Sequence, residues 1–130
     1  MYLDANLFVF ANMDGGEIGD RARSILTGIK RGKRAVTSAL TIDEVMWVLI
    51  KNNRRDELRS VVEDIYSIPN LDVRPVSSLT PLRAIDFIEQ NSLRPRDAIH
   101  AAIMEELGIS EIVSDDADFD RIPSIKRIAI

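Results

Sequence analysis

The tightest constraint in this chain is an alternation. Short apolar runs of strand character are separated by segments whose apolar residues recur at helical spacing. This favours an α/β fold with a largely parallel sheet and helices on both faces, because a parallel strand is reached only through a crossover long enough to hold a helix. Residues 1–10 are apolar apart from Asp4 and Asn6, and read as a buried strand whose end at Asp4 meets a helix start. Ile18, Ala22, Ile25, Leu26 and Ile29 then mark an amphipathic helix from Glu17, closed by the basic turn at 30–34. That turn reads as a solvated one. Residues 34–38 make a second strand. Thr41 and Glu44 have the spacing of a capping box, in which each would bond the other's backbone amide and open a helix to Lys51.

Residues 55–68 form the next helix, ended by Pro69. Residues 71–76 alternate apolar and polar and contain Pro75, which cannot donate to a ladder, so they suit an edge strand. A helix over 78–91 tolerates Pro81 in its first turn and is expected to bury Leu82, Ile85 and Ile88. Residues 98–108 are apolar on most sides and predict a central helix, with Asp97 in its first turn. Strands at 109–114 and 125–130 bring the sheet to about five strands. With no repeat, linker or low-complexity tract, residues 1–130 are expected to form one domain.

Composition then removes whole classes of chemistry. There is no cysteine, so thiol nucleophiles, thiolate metal sites and disulfide frameworks are excluded. His100 is the one histidine, which excludes histidine-pair catalysis. With no triad in view, His100 reads as a packed or hydrogen-bonded structural residue rather than a catalytic one. No stretch has the length of a membrane span and no signal peptide is evident, so a soluble, cytoplasmic protein with no membrane partner is the expectation. A net charge of −4 means the molecule as a whole is no polycation, and anionic substrates must be handled locally. Carboxylates remain as the chemical resource.

In a parallel α/β fold, every strand-to-helix turn lies on one sheet edge, where ligands bind. Asp4 ends the first strand, Glu44 opens the helix after the second, Asp97 opens the central helix, and Asp116 follows the fourth strand. Each alone is explained by capping or by the helix dipole. Together they repel unless a hard cation intervenes. An all-carboxylate donor set suits one or two Mg²⁺ or Mn²⁺ ions, whose chemistry points to phosphate esters.

Leu3-Asp4-Ala5-Asn6, Thr37-Ser38 with Thr41-Ile42-Asp43-Glu44, Arg96-Asp97-Ala98-Ile99-His100-Ala101-Ala102, and residues 112–120 occur in an order and spacing that resemble the PIN-domain family, and within it the VapC-like toxin ribonucleases. The resemblance covers nearly the whole chain. It implies a three-layer α/β/α sandwich, Mg²⁺- or Mn²⁺-dependent cleavage of RNA, frequent homodimers and, for toxins, inhibition by a small antitoxin protein. It also implies that Asp4, Glu44, Asp97 and Asp116 are the catalytic, metal-binding acids, supported by Asn6, Ser114 and Asp118. Asp115 stands where the family more often has a basic or neutral residue, which leaves its part and that of Asp116 to be decided by structure. Arg94 and Arg96 are the preferred candidates for gathering substrate phosphates, with Lys33, Arg34, Arg54 and Arg55 as other sources of charge.

Two other readings compete. A vestigial PIN-like binding module keeps the fold and uses the acids as caps. An aspartate-dependent phosphatase would use Asp4 as nucleophile, but wants an acid where Asn6 stands and a lysine near the acidic loop, for which Lys126 is a poor candidate.

Overall fold

The computed structural model describes residues 1–130. Five short strands, β1 (Tyr2–Leu3), β2 (Ala35–Ser38), β3 (Leu71–Arg74), β4 (Glu111–Val113) and β5 (Lys126–Ile128), pair in parallel in the order β3-β2-β1-β4-β5. Helices α1 (Ala5–Met13) and α2 (Glu17–Lys30) lead from β1 to β2, and α3 (Ala39–Lys51) and α4 (Leu58–Tyr66) from β2 to β3. The chain then crosses the sheet through α5 (Thr80–Asn91) and α6 (Pro95–Glu106) to reach β4, and a 3-10 turn over Ala117–Arg121 leads to β5. No helix is long and apolar enough to cross a membrane.

Strand alternation divides the core in two. Leu3 and Val113 point into a cluster with Leu7, Phe8, Ala22, Ile29, Ile42, Val45, Leu49, Val61 and Ile65, drawn from α1 to α4. Their neighbours Tyr2 and Ile112 point the other way, toward Ala84, Leu93, Ala98, Ala101, Ala102, Ile103, Met104 and Phe119. Helices therefore cover both faces, which is the expected three-layer α/β/α arrangement. Helix α6 buries Ala98, His100, Ala101, Ala102, Ile103 and Met104, as the run over 98–104, apolar but for His100, requires.

Three local expectations need correction. The opening strand contains only Tyr2 and Leu3; residues from Ala5 onward form α1, an added helix before the one predicted at 17–30. An apolar run without a clear period fits a buried helix as well as a strand, and the Asp4 side chain decides the boundary by accepting from Ala5 N at 2.7 Å. Helix α3 starts two residues before Thr41, with Ser38 as its N-cap accepting from Thr41 N at 3.4 Å. Thr41 and Glu44 therefore do not form a capping box. In α5 the buried positions are Thr80 and Ala84, with Phe87 partly covered, while Leu82, Ile85 and Ile88 are 65%, 44% and 36% exposed. The small residues win the inward face because α5 packs against α6, whose facing surface is rich in alanine.

The α1–α2 connection is fixed by Asp14, whose Oδ1 accepts from Gly16 N at 2.7 Å and Gly19 N at 3.2 Å. Arg23 Nη1 donates to the carbonyls of Ala11 and Asp14 at 3.0 and 2.8 Å. A Cβ on Gly19 would lie 2.0 Å from the Asp14 carbonyl oxygen, a backbone atom that cannot swing aside. Alanine is the better helix former by ~1 kcal/mol, but the clash costs ~1–3 kcal/mol or more, so the clash decides the sign. Gly19→Ala is expected to lower the urea unfolding midpoint; an equal or higher midpoint would contradict this account.

Candidate active site

The strand order reverses beside β1: the chain runs outward from β1 to β2 and β3, then returns to β1's other side as β4 and β5. A crevice opens at such a switch point, outside the carboxyl ends of the strands. Asp4 follows β1 there, and Ser114 follows β4. Asp4 is 7% exposed, and its carboxylate is held by three donors. Oδ1 accepts from Ala5 N at 2.7 Å, while Oδ2 accepts from Ser114 Oγ at 2.5 Å and Asn6 Nδ2 at 3.0 Å. Burial pushes the Asp4 carboxyl above its ordinary range; His100 and the Ser114 and Ala5 hydrogen bonds oppose the shift, and Glu44 adds to it.

Ser114 Oγ also accepts from Asp116 N at 3.0 Å and from Asn6 Nδ2 at 3.2 Å, so one hydroxyl joins the ends of β1 and β4 to the acidic loop. Asp116 caps the 3-10 turn, its Oδ1 accepting from Asp118 N at 2.9 Å. Asp118 is paired with Arg121 at 3.0 Å. Asp115 is exposed and belongs to neither acid cluster, and Asp43 is likewise exposed.

The acids fall into two groups. Oxygen or nitrogen donor atoms of Asp4, Glu44 and His100 lie within 4.8 Å of one another, and so do those of Asp97, Asp116 and Asp118. Glu44, Asp97 and Asp116 line one cleft together with Arg94, Pro95 and Arg96. Both arginines are exposed and neither is in an ion pair. The Asp97 carboxyl is pushed up to about 6, by burial first and by Asp116 next, with Asp4 and Asp118 adding and His100 opposing. Such repulsion is what a bound hard cation relieves, and a donor set dominated by carboxylate oxygens fits one.

Sequence reasoning named His100 as a packed or hydrogen-bonded residue without finding its partner, and missed Arg127 altogether. His100 Nε2 lies 3.0 Å from Glu44 Oε2, a contact made across the site between α6 and α3. Arg127, on β5, donates to both Asp120 oxygens at 2.9 and 2.7 Å and to the Ser114 carbonyl at 3.3 Å, tying the acidic loop to the sheet. The partner spacing of 7 residues across a loop left no local signal for it.

Fold and cleft together define an α/β/α protein with an acidic site at its switch point. The chain belongs to the PIN domain family, whose sequence model matches residues 1–125. Among curated relatives, the VapC ribonuclease Mb1869c of Mycobacterium bovis is 29% identical over 111 residues, covering 85% of this chain and 84% of the relative. The crystal structure of Mycobacterium tuberculosis VapC20, described as a Sarcin-Ricin loop cleaving toxin, superposes with a TM-score of 0.79 at 15% identity, covering 94% of each chain. A toxin-antitoxin complex from Klebsiella pneumoniae gives a TM-score of 0.69 at 19% identity over 96% of this chain and 94% of that one.

The raised Asp97 value sets a pH dependence. Between pH 3.8 and 6 the ion-free folded state binds more protons than the unfolded chain, so its stability falls as pH rises through that window. Asp97→Asn is expected to stabilise the ion-free protein at pH 7 by ~1 kcal/mol, the carboxyl being only half buried and its repulsion partly screened, and to flatten the slope. Urea titrations in chelator at pH 4, 5, 6 and 7 measure both; a variant less stable than wild type at pH 7 would refute this.

Proposed function

We propose that this chain is a divalent-metal-dependent endoribonuclease, the toxin of a toxin–antitoxin pair, acting in the cytoplasm with residues 1–130 as one PIN-like domain. The observation that carries the reading is the pair of oxygen-rich clusters at the switch point, with unpaired Arg94 and Arg96 on the rim of the same cleft. Family membership and the VapC relatives support RNA as the substrate and a small antitoxin as partner.

Asp4, Glu44, Asp97 and Asp116 would hold one or two Mg²⁺ or Mn²⁺ ions. When bound, such an ion supplies a hydroxide-like nucleophile and charge neutralisation at a phosphodiester. The protein's share is positioning. Ser114 and Asn6 hold Asp4 Oδ2, Ser114 orients the Asp116 backbone, and Asp118 steadies the turn that presents Asp116. Arg94 and Arg96 offer bidentate donors to the RNA backbone beside the acids. Substrate phosphate is thereby drawn toward a cleft that its own carboxylates would otherwise make repulsive.

The phosphatase reading is disfavoured by the residues around Asp4. Asn6, which donates to Asp4 Oδ2 at 3.0 Å, stands where that chemistry wants a second acid, and no lysine lines the cleft. The vestigial-module reading is disfavoured by the clustering of Asp97, Asp116 and Asp118, which is a standing repulsion with no capping purpose for Asp97. We also propose a homodimer. Leu82, Ile85 and Ile88 make an aliphatic strip on α5 that one copy leaves partly exposed.

With Mg²⁺ or Mn²⁺, wild type is expected to cleave single-stranded or structured RNA, and Asp4→Asn or Asp97→Asn to reduce the rate by at least ~10²-fold. Equal rates in the variants would sink the proposal, and absence of Mn²⁺ binding at millimolar metal in calorimetry would favour the module. For the dimer, light scattering is expected to give twice the 14.6 kDa chain mass, and Leu82→Glu with Ile85→Glu to give the monomer; a wild-type monomer would dismiss it.

A further inference from the structure

Glu44 differs from the other acids in how it is held. Asp4 has three hydrogen-bond donors of its own, two from the start of α1 and one from Ser114 just after β4. The Glu44 carboxylate has one, His100 Nε2 at 3.0 Å, although its longer side chain has more rotamer freedom to lose. His100 is 1% exposed. Its Nδ1 is 2.8 Å from the Tyr2 hydroxyl, which is itself 2.7 Å from Ser38 Oγ. The Tyr2 and His100 rings meet edge to face, with centroids 5.6 Å apart. A buried line of polar groups thus runs from Ser38, the cap of α3, through Tyr2 on β1 and His100 on α6, and ends on Glu44.

The chemistry of that line restricts what the imidazole does. An ionised carboxylate only accepts, so Nε2 presents a hydrogen to Glu44 and has no lone pair there for a cation. The Tyr2 bond on Nδ1 fixes which nitrogen faces Glu44. Both ring nitrogens are therefore committed, although one of them lies within 4.8 Å of Asp4 and Glu44 oxygens.

We propose that His100, oriented through Nδ1 by Tyr2 and Ser38, is a positioning residue that aims the Glu44 carboxylate into the acidic site without ligating the cation itself. The proposal rests on the reading of Glu44 as a metal-binding acid. Outer partners of this kind are worth ~10–100-fold in metal affinity.

Calorimetric Mn²⁺ titration of wild type, His100→Gln, His100→Asn and Tyr2→Phe tests it, with thermal unfolding of each. The glutamine amide places an N–H near the position of Nε2, and asparagine places its amide near Nδ1. His100→Asn is expected to weaken Mn²⁺ binding by ~10–100-fold, and His100→Gln to stay within ~3-fold of wild type even if both melt earlier. Tyr2→Phe, the mildest change to the core, is expected to weaken binding several-fold. Mn²⁺ binding unchanged in Tyr2→Phe, or equal in the two His100 variants, would overturn the positioning role. A directly bonded imidazole nitrogen in the electron spin-echo spectrum of Mn²⁺-loaded wild type would overturn it in favour of ligation. Mn²⁺ binding abolished by Asp4→Asn but indifferent to His100→Asn removes this proposal alone. No binding by wild type removes the metal-site reading, and this proposal with it.

Discussion

Asp4 has to be buried and still remain a carboxylate that can serve, and much of the site follows from how that is achieved. Removing a carboxylate from water costs several kcal/mol unless donors replace the lost solvent. Here the donors come from the start of α1, from Asn6 and from Ser114 after β4. One group therefore ends the central strand, begins the first helix and clamps two adjacent strand ends together. The same three bonds fix the directions in which its oxygens can face a ligand.

The sheet order explains why so few residues are needed. With β1 in the middle and successive crossovers leaving it in opposite directions, the turns after β1, β2 and β4 and the start of α6 reach a common edge without long excursions. Strands of two to four residues suffice because the two helical layers supply the apolar burial. Beyond β4, Arg127 holds the acidic loop through Asp120 and the Ser114 carbonyl, so the edge strand β5 contributes rigidity to a site it does not enter.

The broad architecture could be read from the sequence because it is written in periodicity: short apolar strands between amphipathic helices, and an α6 apolar over 98–104 except at His100, have few alternative placements. The gathering of Asp4, Glu44, Asp97 and Asp116 followed from topology rather than from any local signal. Errors arose where two local rules competed. Thr41 and Glu44 satisfy the spacing of a capping box, yet Ser38 three residues earlier takes the cap and releases Glu44 toward His100. In α5 the larger aliphatic residues suggested the inward face, whereas close approach to α6 selects Thr80 and Ala84. His100 was legible as a buried, hydrogen-bonded residue, but its partner 56 positions away was not, since long-range pairing leaves no mark on a single sequence.

The Ser114 hydroxyl that bonds Asp4 lies 110 positions further along the chain. Asp97 and Asp116 are likewise late, whereas Asp4 and Glu44 come early. During synthesis, the first three strands and their helices can emerge and begin to pack before half of the acidic edge exists. A nascent chain that has not yet delivered Asp116 to the edge lacks the complete acid set, whatever the state of its N-terminal half. The distribution of these residues thus makes the gathering of the acids depend on β4, the fourth strand, and on the loop that follows it.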